Sequence, residues 1–256
     1  MFQRAAMIGF SSLALVACSG GGTAGGIDAP VDNGTACEKN PYGDCYPTAD
    51  LGTNRAAFSS STGKRTTAGS TMRNYKWQGF KAGALDRTTV TADLLQTRSL
   101  ADFYDPEGKS GAKVLHLVAS SRWCSVCAEE TKNYLVKNAD ADKAKGIVVL
   151  QTMIDGLRQG VPAEVKDIDA WAVSTGVFVA GTDANGAALK TGNMIFDLLL
   201  DPANQNFGPF FDGAGVPWNG YVDVRTMEII DYNVGFNPNG DAAALKYVGA
   251  NPPKGT

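Results

Sequence analysis

The segment Arg122-Trp123-Cys124-Ser125-Val126-Cys127 ends the apolar run Val114 to Ala119 and opens a helix-like stretch. Two cysteines at this spacing close a small disulfide ring when the second lies in the first turn of a helix. The fold must then bring a strand end and a helix start together at Cys124. There the sulfur meets unpaired backbone N–H groups and the positive end of the helix dipole, which favour thiolate over thiol. A free cysteine titrates near about 8.5, and such surroundings bring it to about 7 or below. Cys124 is therefore the candidate nucleophile toward disulfides, and Cys127 the thiol that resolves the mixed disulfide.

Zinc sites use the same Cys-x-x-Cys spacing but need about four ligands. The single histidine, His116, lies inside the apolar run, and the other cysteines are far upstream with different spacing. No metal and no cofactor beyond the Cys124/Cys127 disulfide is expected. A purely structural bridge is the plainer alternative. The order strand, aromatic residue, dithiol, helix favours a redox pair.

The first residues indicate the compartment. Met1-Phe2-Gln3-Arg4 is a short basic start, Ala5 to Ala17 is apolar but too short to span a bilayer, and Leu15-Val16-Ala17-Cys18 follows. This pattern resembles the signal of bacterial lipoproteins, which implies cleavage before Cys18 and a diacylglyceryl group on its sulfur. Each buried CH₂ of such a chain contributes about 0.8 kcal/mol to membrane attachment. Ser19 rather than aspartate after Cys18 points toward the outer membrane of a cell envelope. After removal of the dithiol and Cys18 from the five cysteines, Cys37 and Cys45 remain. The four non-lipid cysteines allow three pairings, of which the local one suits an oxidising compartment. Pro41, Gly43 and Asp44 supply turn residues between Cys37 and Cys45, a pair read as structural.

The expected organisation is a signal peptide over 1–17, then lipid anchor and linker over 18–73 with a small disulfide loop at 37–45. A folded domain over 74–249 and a tail over 250–256 complete it. Residues Ser19 to Ala36 are Gly-rich, and Thr53 to Arg73 is rich in Ser, Thr, Gly and Arg. With 44% hydrophobic residues the chain can bury a real core. A net charge of −3 gives no basic field for nucleic acid. After the signal no apolar run is long enough to cross a membrane.

Within the domain, Tyr75 to Phe80 alternates as a half-buried strand, and Ser99 caps a short helix through Tyr104 before the turn Asp105 to Gly108. Strands are expected over Lys113 to Ala119, Gly146 to Ile154 and Phe196 to Leu200. Helices are expected over Ser125 to Ala139, Pro162 to Ser174 (opened by the proline), and Ala203 to Phe211. Trp218 to Val224 and Met227 to Val234 read as a hairpin around Arg225-Thr226, and Asp241 to Val248 as a closing helix. This alternation predicts a largely parallel sheet with helices on its faces, and the dithiol at the carboxyl end of its strand. Pro217 stands at the start of a strand that must pair, and a cis Val216-Pro217 bond in a tight turn is one solution.

Together Trp123-Cys124-x-x-Cys127 and Pro217 resemble the thioredoxin superfamily, and more closely its TlpA-like branch of extracytoplasmic thiol-disulfide oxidoreductases. The resemblance covers about Asn74 to Val248. It implies an α/β thioredoxin-like fold, a central mixed sheet flanked by helices, behind a disordered N-terminal extension. It implies that Pro217 is the cis-proline beside the motif and that the backbone at Val216 holds an incoming peptide or mixed disulfide. Trp123 and Trp218 join Val216 as candidate substrate-binding residues, with core filling as the alternative for Trp218. Glu130 lies where this branch often carries a glutamate; the two readings are a partly buried carboxyl of raised pKa that exchanges a proton with Cys127 and a solvated carboxylate on the helix face.

The sequence departs from thioredoxin in Ser125-Val126 between the cysteines, in Val118 where thioredoxin has a buried aspartate, and in a longer interval before Pro217. The excess lies around Asp155 to Met194 and includes the Gly-rich stretch Gly176 to Gly192. His116 is read as a core residue on the same strand as Val118. Trp77 and Trp171 are read as packing. The resemblance implies exchange with extracytoplasmic thiol or disulfide proteins and with a membrane electron donor or acceptor. Two rivals are a non-catalytic binding scaffold and a peroxiredoxin-like peroxidase, although the Thr-x-x-Cys pattern of the latter is absent. A Sco-like copper carrier fits less, lacking Cys-x-x-x-Cys and a distant histidine.

Overall fold

The computed structural model describes residues 72, 74–204 and 215–252. The signal, Cys18, the Cys37/Cys45 pair and most of the helix expected over Ala203 to Phe211 lie outside the described residues. In chain order the elements are β1 (Lys76–Phe80), β2 (Gly83–Leu85), β3 (Gln96–Ser99) and β4 (Val114–Ser121), then α1 (Ser125–Glu130). A π-helical segment, Thr131–Leu135, joins α1 to α2 (Val136–Lys145). There follow β5 (Ile147–Asp155), α3 (Val165–Thr175), β6 (Phe178–Thr182), β7 (Ala188–Met194), β8 (Asp197–Leu200), β9 (Trp218–Asp223), β10 (Glu228–Val234) and α4 (Gly240–Ala250).

The main sheet has the order β10-β9-β4-β5-β8-β1-β3. Pairing is parallel only in β4–β5 and β5–β8 and antiparallel elsewhere, so the sheet is mixed rather than largely parallel. The reason lies in the connections. Helical crossovers join β4 to β5 and β5 to β8, whereas β9 and β10 form a hairpin and β1 and β3 pair with opposite polarity. The core β4-β5-β9-β10 with α1, α2 and α4 is the thioredoxin-like arrangement that the two motifs imply.

Strand β4 is buried along its whole length, as a strand paired on both sides and covered on both faces must be. Its alternation divides the core. Val118 shares one layer with Cys127, Leu135, Ile168 and Trp171, and Val114 packs beside it with Tyr221, Ala244 and Val248. Leu115, Leu117 and Ala119 face the opposite layer with Met72, Tyr75, Trp77, Leu100 and Trp218. All the α-helices among the described residues thus pack on one side. The two crossovers run in the same direction across the sheet, and right-handed crossovers in one direction place both helices on one face. The other face is covered by Met72 and the 74–104 segment, including a 3-10 turn, Leu100–Phe103. There the Asp102 carboxylate accepts the Ser99 N–H at 3.0 Å.

Three elements differ from the sequence reading. The helix after the dithiol runs on to Lys145, where Gly146 (φ 91°) ends it in the left-handed region. Pro162 does not open α3; it bridges back to Asp155, and α3 starts after Glu164, whose N–H donates to the Asp167 carboxylate at 2.9 Å. The Gly-rich stretch 176–192, to which the sequence assigns no element, holds the β6–β7 hairpin, which pairs with β2 as a small second sheet. The hairpin returns the chain to β8, whose register on β5 sets Leu150 beside Asp197.

Gly79 lies where β1 crosses β8, and a Cβ there would fall 2.5 Å from Leu199 Cα, a backbone atom that cannot step aside. We expect Gly79→Ala to destabilise the fold by about 1–3 kcal/mol, measured as a lower midpoint in denaturant unfolding.

Candidate active site

Strand β4 ends at Ser121, and the chain turns through Arg122 and Trp123 so that Cys124 becomes the N-cap of α1. Cys124 and Cys127 form a disulfide with Cα atoms 5.3 Å apart. The Cys127 N–H donates to Cys124 Sγ at 3.1 Å, so the sulfur takes the place of a capping oxygen and satisfies an otherwise orphaned donor. Cys127 is fully buried and Cys124 is 5% exposed. The outer sulfur is the one an incoming group reaches.

The opposite wall comes from the turn before β9. Val216-Pro217 is cis, and the Val216 carbonyl oxygen lies 3.7 Å from Cys124 Sγ. The Gly235 N–H donates to the Pro217 carbonyl at 2.7 Å and ties this turn to the end of β10. Trp123 stands at the rim, 39% exposed, with its indole N–H donating to Asp155 Oδ2 at 3.0 Å. Val126 is exposed beside it. Arg122 behind them pairs with Asp167 at 2.8 Å, which links the dithiol turn to the start of α3. The dithiol therefore sits in an apolar rim held by polar contacts from β5 and α3.

Beneath the dithiol the helix widens into its π segment. The Thr131 hydroxyl donates to the Cys127 carbonyl at 2.8 Å, and the Gln151 amide donates to both Ser120 Oγ (2.8 Å) and Thr131 Oγ1 (2.7 Å). Trp171 Nε1 donates to Gln151 Oε1 at 3.1 Å. Every one of these groups is buried, so each bond avoids the cost of a stranded polar group, about 1–3 kcal/mol. π segments inside helices occur frequently at functional sites.

Glu130, one helical turn after Cys127, points into the core and is buried. Its Oε1 accepts from Asn219 Nδ2 at 3.0 Å, while Oε2 is buried without a hydrogen-bond partner. Burial raises its pKa to about 7, against the lowering effects of the Asn219 hydrogen bond and His116 and with a further rise from Asp241. A carboxyl in that range takes up and releases protons near neutral pH. His116 accompanies it from β4. Its Nε2 lies 2.7 Å from Asn219 Oδ1 and its Nδ1 3.0 Å from Asp241 Oδ1.

Of the residues proposed from sequence, Cys124, Cys127, Trp123, Val216 and Pro217 converge, with Glu130 below them. Trp218 does not line the groove. It is 2% exposed and packs in the core beside Tyr232, ring centroids 6.0 Å apart, because alternation along β9 turns it to the layer of Leu115 and Leu117. Asp155, Asn219 and Asp241 were not anticipated. Asp155 ends a strand beside the dithiol and Asn219 stands two residues after the cis-proline, so their positions carried a signal. Asp241 carried none, since only the tertiary fold brings α4 onto β4.

These features define the class: a thioredoxin-fold protein with a dithiol at a helix N-terminus facing a cis-proline turn. No protein-family model matches the sequence, and no curated protein matches it. Solved structures similar to it include the exposed lipoprotein thioredoxin of Streptococcus pneumoniae, at 18% identity over 70% of this chain and 99% of that one, TM-score 0.40. A thiol:disulfide interchange protein from Bacteroides sp. is 18% identical over 67% of this chain and 90% of that one, TM-score 0.42. AhpC of Enterococcus faecalis is 12% identical over 69% and 88%, TM-score 0.45. At such identities and scores these likenesses decide nothing about activity, which must be argued from the chain's own geometry.

A carboxyl whose folded pKa lies above its unfolded value binds extra protons in the native state, so its stabilising contribution is present at low pH and lost as pH rises through the folded pKa. For Glu130 that window runs from about 4.5 to about 7. We expect unfolding free energy to fall across this window in the wild type, and the fall to be reduced in Glu130→Gln, in parallel denaturant titrations.

Proposed function

We propose that this chain is a lipid-anchored, extracytoplasmic thiol-disulfide oxidoreductase that reduces or exchanges disulfides of proteins through Cys124 and Cys127. One observation carries the reading: the more accessible sulfur caps a helix and faces the Val216-Pro217 turn, and its partner is fully buried one turn along. A structural bridge has no need of that asymmetry. In the reduced protein the Cys124 thiolate attacks one sulfur of a client disulfide; that S–S bond breaks and the departing client thiolate takes up a proton. Cys127 then loses its proton and attacks Cys124 Sγ, closing the internal disulfide and expelling the second client thiolate, which is protonated in turn. Two electrons pass from the dithiol to the client, and the reverse sequence oxidises a client dithiol.

In this reading Val216 offers backbone pairing to an extended client segment, Pro217 holds the turn, and Trp123 with Val126 gives an apolar rim for client side chains. Glu130 accepts the Cys127 proton. The basic start, short apolar stretch and Cys18 support export and lipid attachment at the cell envelope, toward the outer membrane, with the chain from Cys18 to about residue 71 as the tether, since Met72 already packs in the core. No helix among the described residues is long and apolar enough to cross a membrane. A membrane electron donor or acceptor would complete the cycle. The binding-scaffold rival keeps the bridge permanently closed.

We expect the reduced wild type to cleave insulin disulfides catalytically with dithiothreitol as reductant, Cys124→Ser to lose at least about a hundredfold of that rate, and Cys127→Ser, reduced beforehand and then freed of reductant, to accumulate a covalent mixed disulfide. Equal inertness of wild type and Cys124→Ser would favour the scaffold.

A further inference from the structure

His116 is the buried titratable group that the thiol chemistry leaves unused, and its neighbours form one connected cluster. Glu130 comes from the dithiol helix, Asn219 from β9, His116 from β4 and Asp241 from the first turn of α4. All four are buried. Asn219 fixes the pattern of donors. Its Nδ2 serves both Glu130 Oε1 at 3.0 Å and the Gly235 carbonyl at 3.1 Å. A carbonyl only accepts, so turning the amide over would set oxygen against oxygen. Asn219 Oδ1 must therefore face His116, and Nε2, 2.7 Å away, must carry a proton. The other ring nitrogen faces a carboxylate oxygen at 3.0 Å, where a bare lone pair would be repelled. With Nε2 protonated and a carboxylate beside Nδ1, the arrangement favours a second ring proton, which would make His116 an imidazolium beside Asp241.

We propose that His116 is a positioning residue for the dithiol: held by Asp241, it orients Asn219 toward Glu130 and supplies the buried positive charge that sets how readily Glu130 takes up a proton from Cys127. The inference rests on the proposed thiol exchange for its purpose, but its geometry stands apart from it. An amide cannot pass a proton along, so Asn219 transmits orientation and charge rather than protons. The bond to Oε1 leaves Glu130 Oε2 as the atom free to bear the proton.

The electrostatics agree. Burial pulls the His116 pKa down, but Asp241, Asn219 and Glu130 outweigh it and the value is raised. Burial raises Asp241, yet His116 and Tyr134 leave it lowered. The two phenols facing the cluster remain neutral: burial and Asp241 push Tyr134 and Tyr221 upward, with Asp231 adding to the rise of Tyr221. Tyr221 lies tilted at 33° against the imidazole, ring centroids 4.7 Å apart, and Tyr134 donates to Asp241 Oδ2 at 3.2 Å. Lys145 adds a weaker lowering influence on Asp241, and Asp142 acts on Tyr134.

The sign of one substitution separates this role from mere packing. His116→Gln removes the positive charge, leaves Asp241 uncompensated and loosens the hold on Asn219, and each change raises the Glu130 midpoint. A variant that only opened the core to water would lower it toward that of an ordinary carboxylate. With the Glu130 carboxyl followed by carbon NMR and assigned through Glu130→Gln, we expect an upward shift of about one unit in His116→Gln, matched by the pH profile of insulin reduction. An unchanged or lowered midpoint overturns the proposal. Because His116 is the only histidine in the chain, nitrogen NMR of the unsubstituted protein gives a second test that needs no folded variant. Both ring nitrogens should carry protons at pH 7.5, and a neutral, singly protonated ring there overturns the proposal. Neither NMR measurement depends on catalysis, so an inert dithiol would remove the oxidoreductase reading while leaving the His116 result to be judged separately.

Discussion

The N-cap contact between Cys124 Sγ and the Cys127 N–H is the point from which the site is built. It exists because β4, paired in parallel with β5 and antiparallel with β9, delivers the chain to a fixed place at the sheet's carboxyl edge and the helix begins there. Pairing with β9 also sets the opposite wall: the register that places Ala119 beside Trp218 brings the turn just before it, Val216-Pro217, against the dithiol. A sheet register and a helix cap thus locate both halves of the site. Asp155 and Asp167 keep the exposed turn from drifting by holding Trp123 and Arg122.

Below this edge the core is unusually polar for a central layer. Gln151, Thr131 and Ser120 bind one another and Trp171, and Glu130, Asn219, His116 and Asp241 form a second group. In the first group the buried bonds offset desolvation and anchor the π segment under Cys127. In the second the balance is electrostatic, with one cation between two carboxyl groups, one of them holding its proton to near neutral pH. Val118 keeps the strand before the dithiol apolar, and Glu130 brings its buried carboxyl from the helix.

Local patterns revealed what local forces control. The β4, β5 and β9–β10 strands, the dithiol helix and the cis-proline turn were legible because apolar alternation, Cys-x-x-Cys spacing and proline chemistry each act within a few residues. Pro162 misled because proline in a first turn and proline in an extended bridge share the same fixed φ. The β6–β7 hairpin was hidden by glycines that usually mark loops, and here Gly192 lets Phe178 pack against backbone. Trp218 was ambiguous until the strand parity was known. His116 was correctly placed in the core, but its partners come from β9 and α4, more than a hundred residues away in sequence, and no spacing rule connects them.

The central claim is that the helix start makes Cys124 acidic despite its low exposure, and burial alone would act the other way. The direct measurement is the rate of alkylation of Cys124 in the reduced protein across a pH series. The rate should titrate with a midpoint at least about one unit below that of a free cysteine. A midpoint at or above the free-cysteine value would contradict the account.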